Sequence, residues 1–107
     1  MLAFVGDAVL GLVVAEHLHA SEVGAGVGRL TVARAAIVAD EGLARWAIEL
    51  DLGPRLRLGR GAAQEGGRET TSILATALEA VLGALYLEHG LGAVRDVVGR
   101  LAGWRAG

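Results

Sequence analysis

The sequence predicts an all-α domain, on three observations. Apolar residues recur at helical spacings of three, four and seven along most of the chain. No stretch alternates apolar and polar residues in the manner of a half-buried strand. The breaking residues, a single Pro (Pro54) and clustered glycines, are confined to a few connections. Four helices are expected. The first spans about Phe4–Ala20, where good helix formers and valines run without a Pro. Ser21–Gly28, with Gly24, Gly26 and Gly28, is a loop. The second helix runs from about Arg29 to Leu50. Its stripe is Leu30, Ala33, Ile37, Ala44, Ala47 and Leu50, and Arg29, Arg34, Glu41, Arg45 and Glu49 fall off it.

Asp51–Glu69 holds Pro54 and five glycines and is read as a long connection, with a short extended or helical turn from Arg55. Connections of that length are often functional. The third helix spans about Thr71–His89, with Thr70, Thr71 and Ser72 as candidate N-caps. Gly90 is expected to stop it in the left-handed helical conformation. The fourth, about Leu91–Ala102, puts Val94, Val97, Val98 and Leu101 on one face.

Composition narrows the function classes. The chain has 107 residues and is 53% hydrophobic, which excludes a disordered tail. The absence of cysteine excludes disulfides and thiolate metal sites. No basic segment precedes the first apolar run, so a signal peptide is not expected. A membrane span is not expected either. The apolar stretches Leu2–Ala15 and Ile73–Leu87 are 14 and 15 residues long, and a crossing helix needs about 20. Net charge is −2 and all ten basic residues are Arg. Nucleic acid would therefore meet a local patch rather than a basic domain. So apolar a small domain is expected to place part of that surface in a subunit interface.

Those two apolar stretches hold one charge each, Asp7 and Glu79. A carboxylate carried into apolar surroundings loses hydration worth several kcal/mol. It must be neutralised, paired with a cation or bound to a metal. Two such acids on neighbouring central helices are a candidate site for a hard cation, since Mg²⁺ is commonly held by one or two carboxylates with waters and phosphate oxygens. Two alternatives stand beside this: Asp7 at a helix start, favoured by the dipole, and Glu79 paired with an Arg such as Arg34.

The chain also resembles a known family. Leu2-Ala-Phe-Val-Gly-Asp-Ala-Val-Leu10 is similar to the signature helix of the ribonuclease III endonuclease domain. Gly28–Val38 resembles that family's second helix, Leu52–Gly67 its Gly-rich connection, and Ser72–Gly90 its last acidic block. The blocks stand in the family's order and cover nearly the whole chain. Residues 1–107 are thus expected to be one ribonuclease III-like domain, without the family's first helix and without a double-stranded-RNA-binding domain. Two of the family's four carboxylates match Asp7 and Glu79; the other two fall on Ala3 and Thr76. The acid-pattern match is to the Mini-ribonuclease III branch, which also carries Ala and Thr there and is active.

The resemblance implies a helical, dimeric fold. It implies Mg²⁺-dependent hydrolysis of double-stranded RNA in the cytoplasm, with Mn²⁺ as a plausible substitute and precursor ribosomal RNA as the branch's substrate. Asp7 and Glu79 would be the catalytic metal ligands, and Thr76 would orient water or bond back to its own helix. Phe4, Gly6 and Gly11 would lie in the homodimer interface, with an ordinary core role as the alternative for Phe4. Arg55, Arg57, Arg60 and Arg68 would meet RNA phosphate, or else form a solvated loop. A catalytically inactive RNA-binding or ribosome-associated member of the fold remains open, as does a dimerisation module without RNA. His17 and His19, two apart on a helix, are not a metal pair. Trp46, Trp104 and Tyr86 read as structural.

Overall fold

A computed structural model describes residues 1–21, 24, 26–55 and 70–104. Five α-helices lie among them: α1 (Leu2–Ser21), α2 (Val27–Ile37), α3 (Asp40–Glu49), α4 (Thr71–His89) and α5 (Leu91–Ala102), with a 3₁₀ turn at Gly53–Arg55. No strand occurs among the described residues. The expected all-α architecture holds, and the last two helices have the expected bounds.

The core is aliphatic. Leu10, Val13 and Val14 of α1 meet Leu74, Leu78 and Leu82 of α4, with Leu43 and Ala47 of α3 and Val94 and Val98 of α5 closing around them. Helices α1 and α4 form the most extensive pair, and α3 lies against α4. Both α1 and α4 are long and apolar enough to cross a membrane by length and composition alone. Here they pack on each other as the centre of the domain. Helix α2 buries no residue completely and leans on the core through Leu30, Ala33 and Ile37.

The expected second helix is two. The N–H of Val38 donates to the carbonyl of Arg34 at 3.0 Å and ends α2. Ala39 then turns extended (φ −63°, ψ 147°), and the Leu43 N–H bonds its carbonyl to begin α3. The apolar spacing runs on across this break, which hides it. The cause lies in Asp40 and Glu41, which fill the first turn of α3 where the helix dipole favours acids. Gly42 completes the corner: a Cβ there would stand 3.3 Å from the Ile37 carbonyl oxygen.

Gly90 joins α4 to α5, but not in the left-handed helical conformation expected. Its φ of 84° comes with ψ −178°, a region that essentially only glycine occupies. At the other end of the domain, Trp104 stacks on His17 of α1, ring centroids 3.8 Å apart and planes 5° from parallel. Such a pair adds about 1 kcal/mol beyond the area it covers. It fastens the end of α5 to α1. Arg95 also reaches across to Glu16 at 3.2 Å, an exposed ion pair worth less than about 1 kcal/mol.

Candidate active site

The site begins with two glycines. Where α1 crosses α4, a Cβ on Gly6 would fall onto the backbone carbonyl of Glu79 and stand 3.0 Å from the Gly83 nitrogen. A Cβ on Gly83 would fall onto the Leu2 carbonyl and stand 3.0 Å from the Gly6 nitrogen. The two backbones therefore touch, and only hydrogen fits at either position. Asp7 follows Gly6 directly, and Glu79 is one turn before Gly83. The close crossing is what brings the two carboxyl groups together. Gly6, expected in a dimer interface, is instead buried inside this chain. Gly11 has open space where its Cβ would be.

The crossing sets the carboxyl of Glu79 against that of Asp7, within reach of a hydrogen bond between them. A bond between two carboxyl groups needs one proton, and Glu79 supplies it. Its pKa is pushed from 4.5 up to about 7, by partial burial first, then by the bond to Asp7 and by the negative charges of Asp7 and Asp40. Glu79 thus keeps its proton up to about neutrality and gives it up above. The expectation that both acids lie in apolar surroundings is corrected. Asp7 is exposed, Glu79 is half-buried, and no charged side chain is buried among the described residues. Helix α1 is apolar on nearly all sides because one face packs on the core while another reaches solvent through Leu2, Phe4 and Leu12. Asp7 sits on the outer side.

Asp40 was not singled out by the sequence. Only the packing of α3 on α4 brings its charge within reach of Glu79. The pairing of Glu79 with Arg34 is not found. Arg34 instead lines an open cavity of about 450 Å³ with Asp7, Ala8, Gly11, Leu12, Ala15 and Val38. Ala3 is half-buried and Thr76 exposed. They stand at i−4 from Asp7 and i−3 from Glu79, on the same helix faces.

Phe4 is 76% exposed. Of the four loop arginines, Arg55 ends the 3₁₀ turn in solvent; Arg57, Arg60 and Arg68 lie outside the described residues. His17 is taken up by Trp104 and His19 is exposed. Trp46 and Trp104 pack partly buried against the core, as expected, while Tyr86 remains 38% exposed.

Among the described residues no group of three or more His, Cys, Asp or Glu is arranged to hold a metal. The two touching carboxyls suit a hard cation that takes its other ligands from water and phosphate. A cation that displaces the proton of Glu79 would offset the repulsion between the two carboxylates that its loss leaves.

A family model described as Ribonuclease-III-like matches residues 1–102. The chain is 50% identical to Ribonuclease 3 of Desulforamulus reducens over 97 residues, covering 91% of this chain and 39% of that protein. It is 48% identical to Ribonuclease 3 of Streptomyces coelicolor over 100 residues, covering 94% of this chain and 36% of that protein. The chain thus spans about two fifths of the length of these curated relatives. Among solved structures, the nuclease domain of ribonuclease III from Campylobacter jejuni matches with a TM-score of 0.90 at 40% identity. That match covers 94% of this chain and 70% of the other. The Campylobacter domain is described as structurally flexible in a region involved in dimer formation.

Proposed function

This chain belongs to the ribonuclease-III-like family, and on that premise we propose that it is a metal-dependent endoribonuclease that cuts double-stranded RNA. The observation that carries this reading is the hydrogen-bonded Asp7–Glu79 pair at the glycine crossing. Asp7 and Glu79 hold Mg²⁺, with Mn²⁺ as a substitute. When bound, the ion polarises the phosphoryl oxygen and lowers the pKa of the attacking water. Glu79 gives up the shared proton to become a ligand. Asp40 adds negative charge near Glu79 and favours a cation there. The Thr76 hydroxyl, exposed on the same face as Glu79, would orient a water.

Ala3 and Thr76 replace two family carboxylates in the Mini-ribonuclease III pattern, so two acids are taken to suffice. Arg55, and Arg57, Arg60 and Arg68 beyond it in the sequence, meet RNA phosphate. A-form RNA is read mainly by shape and phosphate, so little sequence preference follows. Maturation of precursor ribosomal RNA in the cytoplasm is the corresponding role.

The test is incubation of the pure protein with a long RNA duplex in Mg²⁺ and in EDTA. Cleavage in Mg²⁺ that EDTA abolishes is the expected result. A duplex that is bound but intact in both Mg²⁺ and Mn²⁺ would favour the inactive RNA-binding reading, to which the loss of acids at positions 3 and 76 lends support.

The enzyme acts as a homodimer through the outer face of α1. Phe4, Ala8, Gly11 and Leu12 share that face at helical spacing, and Phe4 and Leu12 are largely in solvent in the single chain. Gly11 lets a second helix approach, and Phe4 is the anchor that inserts into the partner. Removing a buried aromatic anchor costs at least about 2 kcal/mol of association. Phe4→Ala is therefore expected to raise the dimer dissociation constant at least about 30-fold. Light scattering over a dilution series reads this directly. A wild-type protein that is monomeric at micromolar concentration would remove the dimer from the proposal.

A further inference from the structure

We propose that Arg34 is a substrate-phosphate ligand of the site: its guanidinium, on the wall that Asp7 also forms, binds a non-bridging oxygen of the scissile phosphate. The inference rests on the endoribonuclease reading above and adds a residue that this reading does not use.

The cavity between α1 and α2 holds Arg34 on its wall. Of its seven lining residues only Asp7 and Arg34 are charged. The rest, Ala8, Gly11, Leu12, Ala15 and Val38, are small or apolar. Asp7 is thus the one other charged group lining the space that Arg34 shares.

The carboxyl of Asp7 is engaged by Glu79, and Arg34 has no ion pair or hydrogen bond to any described residue. Contrast Arg95, which crosses from α5 to α1 to meet Glu16 at 3.2 Å. Arg34 is thus a cation that shares a cavity wall with Asp7 and is not paired with it. Its guanidinium keeps all its donors available.

Leu30, Ile37 and Val38 lean on the core, and Arg34 stands at i+4, i−3 and i−4 from them. It flanks the face that α2 turns toward α1, and its side chain remains exposed and open to a ligand.

The chemistry needs such a group. Two acids hold a cation, but any negative charge they retain repels the phosphodiester. Negative charge grows on the non-bridging oxygens as water attacks, and a planar fork of N–H donors fits two of them at once.

Arg34→Gln and Arg34→Lys test the proposal, with kcat and KM on duplex RNA, melting temperature, and the Mn²⁺-induced shift in melting temperature as readouts. Arg34→Gln is expected to lower kcat about 100-fold, the usual effect of losing one donor to a developing oxyanion. Arg34→Lys is expected to recover part of it, since it restores the charge without the fork. Melting temperature and the Mn²⁺ shift are expected to stay at wild-type values, because Arg34 supports neither the fold nor the metal ligands. A rise in KM alone would make Arg34 an ordinary backbone contact and overturn the proposal. So would wild-type cleavage by Arg34→Gln, and in both cases the endoribonuclease reading survives. If the wild type itself leaves the duplex intact in Mg²⁺ and Mn²⁺, the reading falls and this inference falls with it.

Discussion

Gly6→Ala is expected to destabilise the domain by about 3 kcal/mol and to remove most of its activity. The added methyl falls onto the backbone carbonyl of Glu79 and beside the Gly83 nitrogen. Neither atom belongs to a side chain that can swing away. The helices α1 and α4 must separate, and they carry the centre of the core: Leu10, Val13 and Val14 against Leu74, Leu78 and Leu82. Gly83→Ala makes the same demand from the other helix, against the Leu2 carbonyl. The separation also pulls Asp7 from Glu79, and misplacing a reacting group by about 1 Å can cost about 100-fold in rate. Gly11→Ala is the control. Its Cβ meets nothing within 4 Å, and alanine favours the helix by about 0.5–1 kcal/mol over glycine. Its melting temperature should therefore hold or rise, and any loss should appear only in dimerisation. Urea denaturation of the three variants decides the matter. Wild-type stability in Gly6→Ala would show that the two backbones do not touch.

The contrast between Gly6 and Gly11 shows where sequence reading stops. Both are glycines in one apolar helix, five residues apart, and composition treats them alike. Only the crossing with α4 gives one an obligatory structural duty and leaves the other open. The helices themselves were legible because apolar periodicity reports burial directly, as at Val94 and Val98 in α5. The break at Val38 and Ala39 was not, because the stripe continues across it; its only sequence signal is the acidic pair Asp40–Glu41. Asp7 and Glu79 stood out as solitary charges. Their surroundings are not legible, because surface apolarity on α1, at Leu2, Phe4 and Leu12, looks in sequence like all-round burial. Arg34 falls off the stripe by spacing, and nothing in a one-dimensional pattern shows that it shares a cavity wall with Asp7. Asp40 acts on Glu79 only through the packing of α3 on α4.

Glu79→Gln should separate stability from function at the acid pair. The sign follows from the proton that folding retains. Glu79 has a pKa of about 7 in the folded protein against 4.5 as its ordinary value, so between those pH values the folded state holds a proton that the unfolded chain has lost. Stability therefore falls as pH rises from about 4.5 to about 7, and levels off above that. Because Glu79 is only half-buried and partly screened by water, the loss is about 1–2 kcal/mol rather than the full value of the shift. The amide introduced by Glu79→Gln donates to Asp7 at every pH and cannot ionise. This variant should melt higher than wild type at pH 8 and show no slope over the window. It should also lose the melting-temperature rise that Mg²⁺ or Mn²⁺ gives the wild type, and cleave duplex RNA roughly 1,000-fold more slowly. The two effects run in opposite directions, which a variant that merely damaged the fold would not show. A wild-type stability that is flat from pH 4.5 to 7 would mean that the carboxyls do not share a proton. Cleavage at the wild-type rate by Glu79→Gln would mean that the metal is held elsewhere. Either result would take away the feature on which the enzyme reading stands, a repulsive pair of acids that the glycine crossing forces together and that a cation relieves.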